Sequence, residues 1–178
     1  MEKWIEKRKI FKGKTFTLFS GKIVSDNGDI FQRDVVDHPG GVAVVPLIGD
    51  SIVFVKQYRI AIKKEIVEIP AGVIEKNEKP KNAAKRELKE ETGYITDQLT
   101  HLTSFFVSVG YTTEKIHVYM AENMIQSNQK LDLDENISIL KIKISKIPDL
   151  LKKKWFEDSK TIIGLQYFLS RRNDGKEI

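Results

Sequence analysis

Glu87, Glu90 and Glu91 lie in the run Arg86-Glu87-Leu88-Lys89-Glu90-Glu91-Thr92-Gly93-Tyr94, whose residue types favour a helix. Successive residues of an α-helix advance by about 100°, so positions i, i+3 and i+4 share one face. Three carboxylates there repel one another. Glu90 and Glu91 also stand near the C-terminal end, where the macrodipole opposes negative charge. A hard divalent cation relieves both problems, because Mg²⁺ prefers carboxylate oxygens. Magnesium also keeps waters and binds substrate phosphates. The chemistry that follows is phosphoryl or pyrophosphate transfer, with a metal-bound or metal-adjacent water as nucleophile. Taken alone, the three glutamates read better as a solvated acidic face with Lys85 and Lys89 as partners.

The wider pattern separates those readings. Gly72 is followed after five residues by Glu78, and after seven more by Arg86 and Glu87. An arginine fork can clamp a carboxylate, so Arg86 and Glu78 are expected to pin the segment from Gly72 to Lys79 against the helix. Gly72 and Gly93 give the turns at either end their backbone freedom.

The elements that must position these groups can be read from periodicity. Pro80 to Thr92 is expected to be the helix, with Pro in its first turn and Gly93 as its left-handed cap. Strands are expected before it. Thr15 to Leu18 alternates, Phe19 and Gly21 interrupt, and Ile23-Val24 follows. An Asn-Gly turn within Ser25 to Asp29 then leads into a return strand from Phe31 to Val36. Val42 to Ile48 and Ile52 to Gln57 form a second hairpin about Gly49-Asp50, and Glu65 to Ile69 runs up to Pro70. Leu102 to Val107, Ile116 to Met120 and Ser138 to Ile144 are strands after the helix. Two helices, Ile147 to Lys153 and Asp158 to Ser170, precede a frayed tail from Arg171 to Ile178. This order points to an α+β fold with a mixed sheet rather than a doubly wound one.

Residues 72 to 94 resemble the Nudix box, with Tyr94 standing where a small aliphatic residue is usual. The resemblance implies an α/β/α sandwich around a mixed sheet, and Mg²⁺- or Mn²⁺-dependent hydrolysis of a nucleoside diphosphate linked to another moiety. It implies Glu87 and Glu91 as principal metal ligands, with Glu90 a further ligand or water-activating group. Gln57-Tyr58-Arg59 and Glu68-Ile69-Pro70-Ala71-Gly72 resemble the ADP-ribose pyrophosphatase branch, over roughly residues 31 to 165. By that resemblance the Ala71 carbonyl is a metal ligand and Arg59 contacts substrate. Glu68 and Glu75 are candidate ribose contacts, and the resemblance implies Glu114 as a general base on a mobile loop. In Ser108-Val109-Gly110, Val109 replaces the branch's usual proline. Residues 1–40 would be an N-terminal antiparallel hairpin region that contacts a second subunit, and 41–178 the hydrolase domain. Arg33 would reach the diphosphate from the partner chain of a homodimer. Trp4, Phe16, Phe19 and Phe31 are candidate adenine stackers, though each also reads as core or interface. His38, His101 and His117 read as isolated.

Bulk properties bound the alternatives. A chain of 178 residues, 40% hydrophobic, can bury one domain's core. The absence of cysteine excludes disulfides, thiolate zinc sites and cysteine nucleophiles. No apolar run approaches the roughly 18 residues of a membrane span. Met1 to Lys14 is too charged for a secretory signal, so a cytoplasmic location is expected. The net charge of +5 is dispersed among 25 acids. It lacks the basic and aromatic interleaving of a nucleic-acid platform, and the partner that the resemblance implies is a small nucleoside diphosphate. Two rivals stand beside ADP-ribose hydrolysis: another substrate of that class, such as a nucleotide sugar or dinucleotide cofactor, and a non-catalytic nucleotide-sensing module.

Overall fold

The computed structural model describes residues 1–130 and 136–173. They form two compact units, one of residues 1–40 with 105–115, the other of residues 41–104 with 116–178.

The first unit is built on a three-stranded antiparallel sheet of β1 (Lys3–Lys12), β2 (Thr17–Val24) and β3 (Ile30–Asp37), in that order. β1 lies where the sequence shows no alternation. The reason is two register shifts against β2, between Trp4 and Glu6 and between Lys9 and Phe11. Each inserts a residue and resets the period of two, so Trp4-Ile5 and Ile10-Phe11 stand as adjacent apolar pairs. β2 is continuous through Phe19 and Gly21, contrary to the expected interruption. A Cβ at Gly21 would lie 2.0 Å from the Glu6 carbonyl oxygen, so a residue without a side chain allows the close approach of β1.

The second unit contains β4 (Gly41–Ile48), β5 (Ser51–Arg59), β6 (Lys64–Glu68), β7 (Ala71–Val73), α1 (Pro80–Thr92), β8 (Tyr94–Ile95), β9 (Gln98–Phe106), β10 (Lys115–Glu122), β11 (Ile125–Gln126), β12 (Ile137–Lys143), α2 (Ile147–Lys152) and α3 (Ser159–Asn173). The tips of β9 and β10 belong to the first unit. A mixed sheet runs β12-β5-β4-β10-β9, with β6 on β5 and β7 on β4. β4 and β10 are parallel, which requires a long crossover, and α1 lies within it. β8 and β11 form a separate antiparallel pair.

Central β4 is buried from Gly41 to Pro46, as a strand covered on both faces must be. Val42 and Val44 pack with Ala83, Ala84 and Leu88 of α1 and with Leu99, Tyr119 and Ala121. On the opposite face, Gly164 of α3 comes so close to the sheet that a Cβ there would lie 3.0 to 3.4 Å from Ile69, Val118 and Val45. Helices thus cover both faces of the sheet, giving the expected α/β/α sandwich. β9 begins earlier than the expected Leu102, because buried Leu99 anchors it. α3 continues to Asn173, so Arg171 begins no frayed tail, and residues 174–178 lie outside the described residues. Among the described residues no helix is long and apolar enough to cross a membrane.

Replacing Gly21 by Val should destabilise the protein by about 1–3 kcal/mol, the usual cost of overpacking. Chemical denaturation checks the size. Amide exchange should localise lost protection to β1 and β2, and unchanged exchange there would contradict the close-approach account.

Candidate functional site

α1 opens on Lys79 in extended conformation with Pro80 at its first position, and has no side-chain cap. It closes at Gly93, whose φ of 70° is left-handed and whose N–H donates to the Lys89 carbonyl. With both ends fixed, the face carrying Ala83, Ala84 and Leu88 turns to the sheet. That phase also draws Glu87 and Glu91 inward, and their relative exposures are 8% and 2%. The face is therefore not a solvated acidic surface. Burying a carboxylate costs several kcal/mol unless it is paired, and the pairing is visible.

Arg86 provides much of it. Its Nε and Nη2 donate to the two Glu78 oxygens at 3.1 and 2.9 Å, and Nη2 also donates to the Val73 carbonyl at 2.9 Å. Nη1 donates to Glu87 at 2.7 Å and to Glu90 at 3.0 Å. The hydrogen bonds to Glu78, followed by those to Glu87 and Glu90, raise the guanidinium's pKa further above its ordinary range. In return the Arg86 bonds hold the Glu78 carboxyl below the usual carboxylate range. Glu78 and Arg86 thus stand as the clamp their types suggest.

Gly72 meets the same cluster. A Cβ built there would lie 2.0 Å from the Glu87 carboxyl carbon and one of its oxygens, so only glycine leaves that carboxylate its place. Glu91 accepts a hydrogen bond of 2.9 Å from the Ala71 N–H. A metal site can be tested against this arrangement. Among the described residues, no three Asp, Glu or His side chains form a ready-made ligand set. Instead Arg86 Nη1 lies within 3.0 Å of oxygens from both Glu87 and Glu90, so two carboxylates already converge on one positive centre. With Glu91 and the Ala71 backbone beside them, the donors are all hard oxygens, which fits Mg²⁺ or Mn²⁺.

Arg59 and Glu68, both expected at substrate, are each other's partners here. Arg59 Nε and Nη2 form a fork on Glu68 at 3.0 and 2.5 Å, and this raises the arginine's pKa. Glu68 is buried and also accepts from Lys160 Nζ at 3.1 Å. Lys160 in turn lies 3.0 Å from Asp158. Asp158 caps α3 by accepting from the Thr161 N–H at 2.9 Å and hydroxyl at 2.6 Å. The buried Thr161 hydroxyl accepts from the Ile69 N–H at 2.9 Å. Sequence reasoning missed Lys160, Asp158 and Thr161. The only available signal was Asp-x-x-Thr at a helix start.

Glu75 is exposed. Its N–H donates to Glu78 at 3.1 Å and its carbonyl accepts from the Glu78 N–H, so its backbone shapes the loop. Two expected site residues belong to the first unit. Arg33 is held by Glu2 through bonds of 3.1 and 2.5 Å. Glu114 lies two residues after Thr112, whose hydroxyl accepts from the Glu114 N–H at 3.1 Å, and the Glu114 carboxylate lies 4.0 Å from His38 Nδ1. Of the expected stackers, Phe19 lies under Lys7 Nζ at 4.0 Å and Phe31 under Arg33 at 5.5 Å. His101 and His117 are not isolated, for the Ser104 hydroxyl bridges them at 2.8 Å on each side.

A family model described as the NUDIX domain matches residues 37–164. The chain is 38% identical over 169 residues to an ADP-ribose pyrophosphatase of Bacillus subtilis, covering 93% of this chain and 91% of that one. It is 40% identical to a methanol dehydrogenase activator of Bacillus methanolicus, with the same coverage. A GDP-mannose pyrophosphatase of Shigella flexneri is 28% identical, covering 85% of this chain and 93% of the other. A crystal structure of an ADP compounds hydrolase superposes with a TM-score of 0.87 at 19% identity, covering 99% of this chain and 97% of that one.

The lowered Glu78 pKa has a stability consequence. A carboxyl depressed in the folded state contributes stability above its unfolded pKa of about 4.3 and loses it as pH falls through the folded value. Glu78→Gln should therefore lower stability at pH 7 by about 1–3 kcal/mol and flatten its loss below about pH 4.3. Denaturation midpoints measured from pH 7 to pH 3 check this, and an acid limb equally steep in both proteins would refute it.

Proposed function

The chain belongs to the Nudix hydrolase family, and from that premise we propose that it hydrolyses the diphosphate bond of ADP-ribose in the cytoplasm, giving AMP and ribose 5-phosphate. The observation that carries the reading is the buried glutamate pair Glu87 and Glu91, of which Glu87 is joined to Glu90 and Glu78 through Arg86 and seated against Gly72, while Glu91 is held by the Ala71 N–H. The choice of ADP-ribose is supported by the 38% identity to the pyrophosphatase of that name.

In this reading Glu87, Glu90, Glu91 and the Ala71 carbonyl hold Mg²⁺ or Mn²⁺. When bound, the cation supplies charge neutralisation for the diphosphate and lowers the pKa of a water. The water oxygen forms the new bond to phosphorus, the bridging P–O bond breaks, and the leaving phosphate takes the electron pair. Glu114 accepts the water's proton once its loop meets the substrate. Glu90 is the alternative acceptor. Arg59 turns its guanidinium to the diphosphate, with Glu68 and Glu75 toward the ribose hydroxyls. Arg86, Glu78, Gly72 and Gly93 keep the carboxylates in place. A second reading, hydrolysis of a nucleotide sugar, draws on the GDP-mannose pyrophosphatase relative and on Val109.

We also propose a homodimer, to which the partner's copy of the first unit contributes Arg33. Its support is the unusual exposure of large apolar side chains on the three-stranded sheet, among them Ile5, Ile10, Phe11, Ile30 and Phe31 at 45% to 60%. A monomeric surface seldom leaves so many in one small unit.

With Mg²⁺, the purified chain should turn over ADP-ribose faster than GDP-mannose or dinucleotides, lose activity in EDTA and recover it on adding metal. Glu91→Gln should keep ligand binding while losing at least about 100-fold in kcat. Turnover of another panel member with none of ADP-ribose would move the assignment to that substrate. No turnover of any would favour a sensor. Light scattering after gel filtration should give twice the chain mass, and Phe11→Lys with Phe31→Lys should halve it. A monomeric parent would end the dimer proposal.

A further inference from the structure

A hollow of about 490 Å³ opens on the outer side of α1. Its wall carries four cations, Lys85, Arg86, Lys89 and Lys130, and two acids, Glu90 and Asp97. The acids are engaged. Glu90 accepts from Arg86, and Asp97 pairs with Lys85 at 2.6 Å. Among the described residues neither Lys89 nor Lys130 has an ion-pair partner.

The placement of these two lysines differs in kind. Lys89 is in the last turn of α1, where the macrodipole alone favours a cation. That does not account for Lys130, which is brought there by built contacts. The Ser127 N–H donates to the Gly93 carbonyl at 2.6 Å, Gln129 Nε2 to the Glu91 carbonyl at 2.5 Å, and the Lys130 N–H to the Glu90 carbonyl at 3.1 Å. Three bonds tie this segment to the end of α1 and place a second lysine on the wall of the same hollow. Two unpaired ammoniums, each with three donors, match the charge and the acceptor oxygens of a phosphate group near its second ionisation.

We propose that this hollow binds a phosphate monoester. That the monoester is a product of the neighbouring site, the sugar phosphate released by diphosphate cleavage, rests on the hydrolase reading, whereas the recognition of the phosphate group does not. The hollow shares Arg86 and Glu90 with the carboxylate cluster. A bound monoester therefore lies against the same helix.

Calorimetric titration of the full-length chain tests this in EDTA at constant ionic strength, with inorganic phosphate and with ribose 5-phosphate. Both should bind, and Lys89→Ala with Lys130→Ala should weaken both by about tenfold or more. The control pair Lys152→Ala with Lys153→Ala should leave both within about twofold. Lys89→Gln with Lys130→Gln, which keeps the side-chain length, should behave like the alanine pair, and unchanged thermal unfolding confirms folding. Tighter binding of ribose 5-phosphate than of phosphate identifies the sugar phosphate as the ligand. Equal binding identifies the free phosphate group. Absent binding in the parent, or equal weakening by the control pair, overturns the proposal. The titration contains neither metal nor diphosphate, so its result is independent of whether ADP-ribose is the substrate.

Discussion

A guanidinium has five N–H donors in a fixed plane, and at Arg86 all five have acceptors. Nε and one Nη2 donor meet Glu78, the other Nη2 donor meets the Val73 carbonyl, and the two of Nη1 are divided between Glu87 and Glu90. One side chain thus ties the loop ahead of α1 to two carboxylates on α1 itself. No lysine could do this, since a point charge lacks the planar fork. The loop's own closure follows from the same clamp. Glu78 accepts from the Glu75 N–H while donating its own N–H to the Glu75 carbonyl, across a turn in which Asn77 takes a positive φ of 65°.

The other wall of the site is fixed from further away. Ile69-Pro70-Ala71 runs from the end of β6 into the first residue of β7, and each residue has its own anchor. The Ile69 N–H reaches Thr161 at the start of α3, the Pro70 carbonyl accepts from Val44 of β4 at 2.8 Å, and the Ala71 N–H reaches Glu91 of α1. Both covering helices and the central strand therefore meet on three consecutive residues. The Glu68 pair with Arg59 and Lys160 stands next to that junction. The backbone carbonyl proposed as a ligand gains from such restraint, because it cannot adjust by changing rotamer.

Legibility in the sequence followed the range of the interactions. α1 was readable because Pro80, the i, i+3, i+4 spacing and Gly93 are all local. β4 and β5 were readable as β-branched runs about a Gly-Asp turn. β1 was not, since its two register shifts are properties of a pairing partner and erase alternation in the strand itself. The chain from Glu68 through Lys160 to Asp158 spans 92 residues at its first link, and no pattern within either segment announces it. Gly72 was readable as a position but not as a reason. Its spacing marked it, while the collision of a Cβ with the Glu87 carboxylate becomes visible only once the fold brings them together.

That collision also explains why the spacing is strict. Gly72 must face Glu87 while Glu78 faces Arg86, and these are adjacent residues on a helix, which ordinarily point apart. Both contacts can hold only for one rotation of α1 about its axis. That same rotation lays Ala83, Ala84 and Leu88 on the sheet. An added residue between Glu78 and Arg86 would turn the carboxylates by about 100°, carrying Glu87 off Gly72 and Leu88 out of the core together. The distance from glycine to glutamate is thus set by packing as much as by chemistry, and a functional spacing this rigid is the expected result when one helix must satisfy a hydrophobic core and a charged site at the same phase.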